Sequence, residues 1–250
     1  MVVVFDSFPQ SFVKAIKDKA GVSLNDVLVS ALSQAIHEYC THHKCPILEE
    51  HGEMLQSRAL MVYGFPNRND SKDTVIRNGW VPLSLNLGVG ITSTAARLKH
   101  VFKQTSELKN SPIPHCQLWF QNVVCPWLPT SAFQKAVYDI YSRHNLTCTN
   151  VPGPAKKVLV AGKPVVNCRF NVDGHVHPVV SILSYNGQIN VLFTADSKSI
   201  PDMRILERFY MCALKALGEE MGVEVPRNIN RLAEHDDLYY SYTLKRNSTH

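Results

Sequence analysis

Apolar positions recur along this chain at helical spacing in several stretches and at strand spacing between them. The clearest helix is drawn by Leu24, Val27, Leu28, Ala31, Leu32, Ala35 and Ile36, a continuous stripe along one face. Ser23 stands before it and Asp26 three residues later. That is the spacing of a capping box, in which each side chain satisfies a free backbone N–H at the helix start. Upstream, residues 2–5 read as a strand. Pro9 then opens a helix with Phe12, Val13, Ile16 and Ala20 on one face, closed by Gly21. Downstream, residues 59–66 predict a strand ending at Pro66, followed by a polar turn over 67–73. Residues 80–91 predict another extended stretch, with Leu83, Leu85 and Leu87 at strand alternation.

Helix is expected again over 94–109, with Ala95, Leu98, Val101, Phe102 and Leu108 inward and Arg97, Lys99, Lys103 and Lys109 outward. Pro112, Pro114, Pro126 and Pro129 break up the region that follows, and Ser131 is placed to cap a helix carrying Phe133, Ala136, Val137 and Ile140. A last helix is expected from Asp202, with Ile205, Leu206, Phe209, Ala213, Leu214 and Leu217 facing in and Gly222 as its stop. Residues 223–250 read as a polar tail, leaving 1–222 as one domain.

Residues 145–196 are the stretch around which these elements group. An extended segment ends at Asn150-Val151-Pro152-Gly153-Pro154, where the two prolines fix their own φ and force the strand to stop. Gly153 is expected to supply dihedrals that a Cβ would resist, and to let another backbone or a ligand come close. Farther on, Asn186-Gly187 suits a two-residue type I′ turn between two apolar strands. Val191, Leu192 and Phe193 are apolar at both parities, the mark of a strand buried on both faces. Alternating helices and strands predict an α/β fold, a mixed-sheet sandwich with helices covering the sheet.

The 250 residues suffice for a sizeable core, and 45% hydrophobic with 19% charged residues is a globular composition. A net charge of +5, scattered along the chain, suits a phosphate-bearing ligand or an anionic membrane surface and argues against nucleic acid as partner. Seven cysteines without framework spacing suggest reduced thiols and an intracellular setting. The apolar start at residues 1–5 is too short for a signal peptide, so the sequons at Asn145 and Asn247 are read as accidental.

Three segments of the central stretch, TNVPGP, AGKPV and LSYNGQINVLFTAD, resemble the C-terminal half of the wax ester synthase/diacylglycerol acyltransferase family. GVSLNDVLVSALSQAI is similar to the family's helix with its Asn-Asp motif, here Asn25-Asp26, and SRALMVYGFPNR to the strand after it. The resemblance implies one lobe of a two-lobed, chloramphenicol acetyltransferase-like acyltransferase fold. It also implies acyl-CoA as a substrate rather than a resident cofactor, and a long-chain alcohol or diacylglycerol as acceptor. Such lipid substrates imply the cytoplasmic face of the cell interior, with peripheral contact to the endoplasmic reticulum or another membrane. In that family a histidine of an HHxxxDG motif in the N-terminal lobe acts as general base. No such motif occurs here: His42-His43 leads into Lys44-Cys45-Pro46, and Asp173-Gly174 follows Cys168-Arg169 without histidines in place. The chain is therefore expected to start near the beginning of the C-terminal lobe and to lack a catalytic residue of its own.

By the resemblance, Asn150, Gly153, Asn25 and Asp26 are candidates to line a substrate channel, and Lys156 and Lys157 to meet the CoA phosphates. Each has a plainer role to set beside it. Asn25 and Asp26 can cap their helix, Pro-Gly-Pro can be a rigid strand exit, and the lysines can guard a strand edge. His37, Cys40, His42, His43, Cys45 and His51 crowd together, but without a paired Cys-x-x-C they read as a solvated helix end, and no metal site is expected. His175 and His177 alone would make a poor site. Two functions follow: the C-terminal lobe of an O-acyltransferase, or a non-catalytic lobe that binds acyl chains or a partner protein.

Overall fold

A computed structural model describes residues 1–65, 79–172 and 177–234. The expected turn over 67–73, the strand end at Pro66, Asp173-Gly174, His175 and the last part of the tail lie outside the described residues. The strands are β1 (Val2–Val4), β2 (Phe8–Pro9), β3 (Arg58–Gly64), β4 (Trp80–Asn86), β5 (Leu146–Pro152), β6 (Leu159–Val160), β7 (Lys163–Pro164), β8 (Val179–Tyr185) and β9 (Gln188–Thr194). The helices are α1 (Gln10–Ala20), α2 (Leu24–His42), α3 (Pro46–His51), α4 (Thr94–Asn110), α5 (Ile113–Val123), α6 (Thr130–Ser142), α7 (Arg204–Glu220) and α8 (Arg227–Glu234).

The main sheet runs β1-β9-β8-β5-β3-β4, with β2 also paired to β9. It is mixed: β5 runs parallel to both β3 and β8, and the remaining pairs are antiparallel. A parallel neighbour needs a long crossover, and α4, α5 and α6 lie in the connection from β4 to β5. The β8–β9 hairpin turns on Asn186 and Gly187, both at positive φ (49° and 75°), as a type I′ turn requires. Val191, Leu192 and Phe193 are all buried.

One core joins a sheet face (Met61, Leu85, Cys148, Ile182, Val191) to the inner stripes of α1, α2, α4 and α7. Helix α2 is central, packing on both α7 and α4. Ser23 and Asp26 form both halves of its capping box. Helix α1 ends at Gly21 in the left-handed region, as expected.

Several expectations need correction. Arg97 does not face solvent but is 0% exposed. Its guanidinium donates to Gln34 Oε1 and to the Ile91 carbonyl, tying the loop after β4 to α2. Burial lowers its pKa to about 10, against the opposing pull of Glu38. Phe102, expected inside, is exposed. Residues 87–91 leave the sheet after β4. The prolines after α4 start a helix rather than break one: Pro112 caps α5 and Pro114 sits in its first turn, where the missing N–H costs nothing. Ser131 is not the cap of α6, because Pro129 holds that position with no side-chain cap. Asp202 precedes Met203, the residue that caps α7. Part of the span expected as a polar tail forms α8, which packs on α7 and buries Ile229.

Candidate functional site

Two candidates 125 residues apart meet at one end of the sheet. Asn150 Nδ2 donates to Asn25 Oδ1 at 3.3 Å. Asn25 stands in the first turn of α2, and Asn150 lies in the last part of β5, beside Ile182 of β8. Both line a cavity of about 370 Å³ together with Ser23, Gln10, Ser184 and Lys109, over apolar walls from Leu28, Ile182 and Ile189. The amide pair commits only one N–H to the mutual bond, so its other N–H groups remain available as donors. The start of α2 adds the positive end of a helix dipole, and Lys109 adds a full charge. An oxygen carrying developing or full negative charge fits this arrangement.

Asp26 plays a different part. Its carboxylate accepts from the Ser23 backbone N–H at 2.8 Å and from the Thr105 hydroxyl at 2.6 Å. Those two partners lock the first turn of α2 against α4, which fixes where Asn25 points. Asp26 is buried and does not line the cavity.

Gly153 is needed for close approach and not for unusual dihedrals. Its φ lies outside the left-handed region, but a Cβ there would sit 2.3 Å from the Ser184 carbonyl oxygen. Its N–H donates to that same oxygen at 2.9 Å, and the Asn186 N–H donates to the Pro154 carbonyl at 2.9 Å. The Pro-Gly-Pro exit is thereby pinned to the β8–β9 hairpin. Lys156 and Lys157 are exposed, precede the small β6–β7 hairpin and do not line the cavity.

Several of the histidines are held in structural contacts. His37 Nδ1 bonds to the Val89 carbonyl at 2.8 Å, and His43 packs on Tyr39 with ring centroids 4.4 Å apart. His177 bridges the Thr147 hydroxyl (2.6 Å) and the Tyr141 carbonyl (3.0 Å), and burial lowers its pKa. Among the described residues, no three His, Cys, Asp or Glu side chains converge as a metal site would need. Sequence reading missed Gln10, Ser184 and Lys109. For Ser184 the available signal was its place two residues before the Asn186-Gly187 turn; Lys109 carried none beyond its charge.

Residues 78–218 match the family model described as the WS/DGAT C-terminal domain. A solved wax ester synthase/diacylglycerol acyltransferase from Marinobacter aquaeolei VT8 superposes with a TM-score of 0.61 at 15% identity, over 89% of this chain and 49% of that one. The epimerization domain from the third module of tyrocidine synthetase B superposes with a TM-score of 0.54 at 12% identity, over 88% of this chain and 48% of that one. At such identities these likenesses concern the fold. The chain spans about half the length of each. A comparison with curated proteins gives no match.

Proposed function

Since the chain belongs to the WS/DGAT C-terminal domain family, we propose that it is the C-terminal lobe of an acyl-CoA-dependent O-acyltransferase. The acceptor would be a long-chain alcohol or diacylglycerol, the product a wax ester or triacylglycerol. The observation that carries this reading is the Asn25–Asn150 pair lining a cavity with Lys109 at the start of α2. In acyl transfer the alcohol oxygen attacks the thioester carbon and the carbonyl oxygen becomes an oxyanion. Amide N–H groups held in place before the reaction stabilise that oxyanion without reorganising. Here the Asp26 bonds to Ser23 and Thr105 hold the Asn25 end, and strand pairing holds Asn150. Lys109 would attract the anionic part of the acyl donor. The proton of the alcohol needs a base from an HHxxxDG lobe, which this sequence does not contain.

Surface composition supports a lobe that docks elsewhere. Helix α6 buries none of its residues, and Trp119, Trp127, Phe133 and Tyr138 are exposed on and beside α5 and α6. The same observation favours a second reading, a non-catalytic lobe that binds a partner or a membrane surface. Among the described residues, no helix is long and apolar enough to cross a membrane.

The test is release of free CoA from acyl-CoA with hexadecanol or diacylglycerol, using residues 1–250 alone and with an HHxxxDG lobe added in trans or fused before Met1. General-base catalysis contributes about 10²–10⁴-fold, so the chain alone should be nearly inactive and the pair active. Asn150→Ala in the pair should lower turnover with little change in melting. Turnover by the chain alone would refute the reading. A correctly assembled pair without turnover would favour the binding lobe.

A further inference from the structure

The C-terminal end of α2 brings two cysteines together. His42 is its last residue, His43 is the cap, and Lys44 follows at positive φ (49°). The Lys44 N–H donates to the Thr41 carbonyl at 3.0 Å, and the Cys45 N–H donates to the Cys40 carbonyl at 2.8 Å. A helix that ends on this pair of bonds and a left-handed residue also sets two side chains against each other. They are the side chains three residues before the cap and two after it, and the contact is frequently apolar. Here both positions are cysteines, Cys40 and Cys45. The path of bonds through the 2.8 Å contact holds their Cα atoms within about 6.7 Å, inside the roughly 4.4–6.8 Å that a disulfide spans. Burial first, then the charge of the Cys45 thiol and a hydrogen bond to it, push the Cys40 thiol up to about 11. The two sulfurs therefore lie within hydrogen-bonding reach. Both residues are half-buried and line a cavity of about 280 Å³ beside the exposed Ile47, room enough for a small solute to reach them.

We propose that Cys40 and Cys45 are a redox modification site, closing to an intramolecular disulfide when a hydroperoxide enters this cavity. Cys45 attacks first, because Cys40 holds its proton too tightly to act as the nucleophile. The Cys45 sulfur takes one peroxide oxygen, the O–O bond breaks, and the other oxygen leaves as water with the Cys45 proton. That step makes Cys45 a sulfenic acid. The Cys40 sulfur then attacks the Cys45 sulfur and the S–O bond breaks. Hydroxide departs with the Cys40 proton as a second water. Two thiols and one hydrogen peroxide give one disulfide and two waters, the sulfurs losing the two electrons that the peroxide gains. A dithiol reductant reverses the step by thiol–disulfide exchange. The claim is independent of acyl transfer, since neither cysteine lines the Asn25–Asn150 cavity.

The sequence makes the test direct. Trypsin cuts between Lys44 and Cys45, so peptides 20–44 and 45–58 each carry one cysteine and stay joined only by this disulfide. The reduced full chain is treated with hydrogen peroxide in the presence of dimedone, which traps sulfenic acids. Remaining thiols are blocked with N-ethylmaleimide, and the unreduced digest is read by mass spectrometry. The exposed Cys116 and Cys168 report the oxidant dose. The joined pair should appear in a monomer lighter by two hydrogens, and dithiothreitol should restore both thiols. In Cys40→Ser the joined pair should vanish and the dimedone adduct at Cys45 should rise about tenfold, because a thiol held in place outruns a dissolved trap. In Cys45→Ser, Cys40 should stay reduced at the same dose. Three results would each overturn the proposal. One is the absence of the joined pair at a dose that oxidises Cys116 and Cys168. Another is a Cys45 adduct as abundant in the wild type as in Cys40→Ser. The third is a joined pair found only in covalent dimers.

Discussion

Replacing Asp26 by alanine removes two acceptor contacts from a site that is 1% exposed. The Ser23 backbone N–H loses its partner at 2.8 Å, and the Thr105 hydroxyl loses one at 2.6 Å. Loss of a helix cap costs about 0.5–2 kcal/mol. A hydrogen bond to a charged group contributes about 1.5–3 kcal/mol. The low end applies to Thr105, because its hydroxyl keeps a second acceptor in the Phe102 carbonyl at 3.1 Å. The two together give a loss of about 2–4 kcal/mol, since burial leaves little solvent to replace either bond. For a chain of this size, that lowers Tm by roughly 5–15 °C. Urea unfolding of the wild type, Asp26→Ala, Thr105→Val and the double variant would measure it. The double-mutant cycle should return a coupling of about 1–2 kcal/mol between Asp26 and Thr105. A melt of Asp26→Ala indistinguishable from wild type would refute the argument that this carboxylate anchors α2.

Three further outcomes follow from particular contacts. Gly153→Val should destabilise by about 1–3 kcal/mol or prevent folding, because its Cβ meets a backbone oxygen that cannot swing away; a soluble variant with a normal melt would contradict this. Arg97→Met should cost about 2–5 kcal/mol in denaturant unfolding by stranding acceptors at Gln34 and Ile91, and Arg97→Lys should not restore it because one ammonium cannot span the fork. His177 has a pKa held down by burial, with His144 nearby adding to the effect, so the folded state takes up its proton later than the unfolded chain. Its contribution is therefore complete above its ordinary value of 6.5 and is lost as pH falls through the lowered folded value. His177→Gln should flatten the fall in stability below that pH, and an unchanged slope would dismiss the role.

Local chemistry was enough to read much of this fold. The capping box at Ser23 and Asp26, the stop at Gly21 and the Asn186-Gly187 turn depend on residues within a few positions of one another, and sequence lists those in order. The family motifs singled out Asn25 and Asn150 as candidates, and the fold brings their side-chain amides to 3.3 Å of each other. What sequence could not supply was contact between distant segments. Arg97 reads as a solvent-facing helix residue until Gln34 and the Ile91 carbonyl are seen beside it, because the desolvation of a guanidinium is offset only by partners that folding brings there. Gly153 invited an argument from φ, yet the constraint on it comes from Ser184, thirty-one residues away and on the neighbouring strand. Lys109 and Ser184 join the lining of the candidate cavity only because α4 and β8 are packed around the start of α2. Periodicity and turn chemistry act along the chain and are legible in it, whereas cavities, buried charges and close approaches depend on pairings across it, which only the tertiary structure decides.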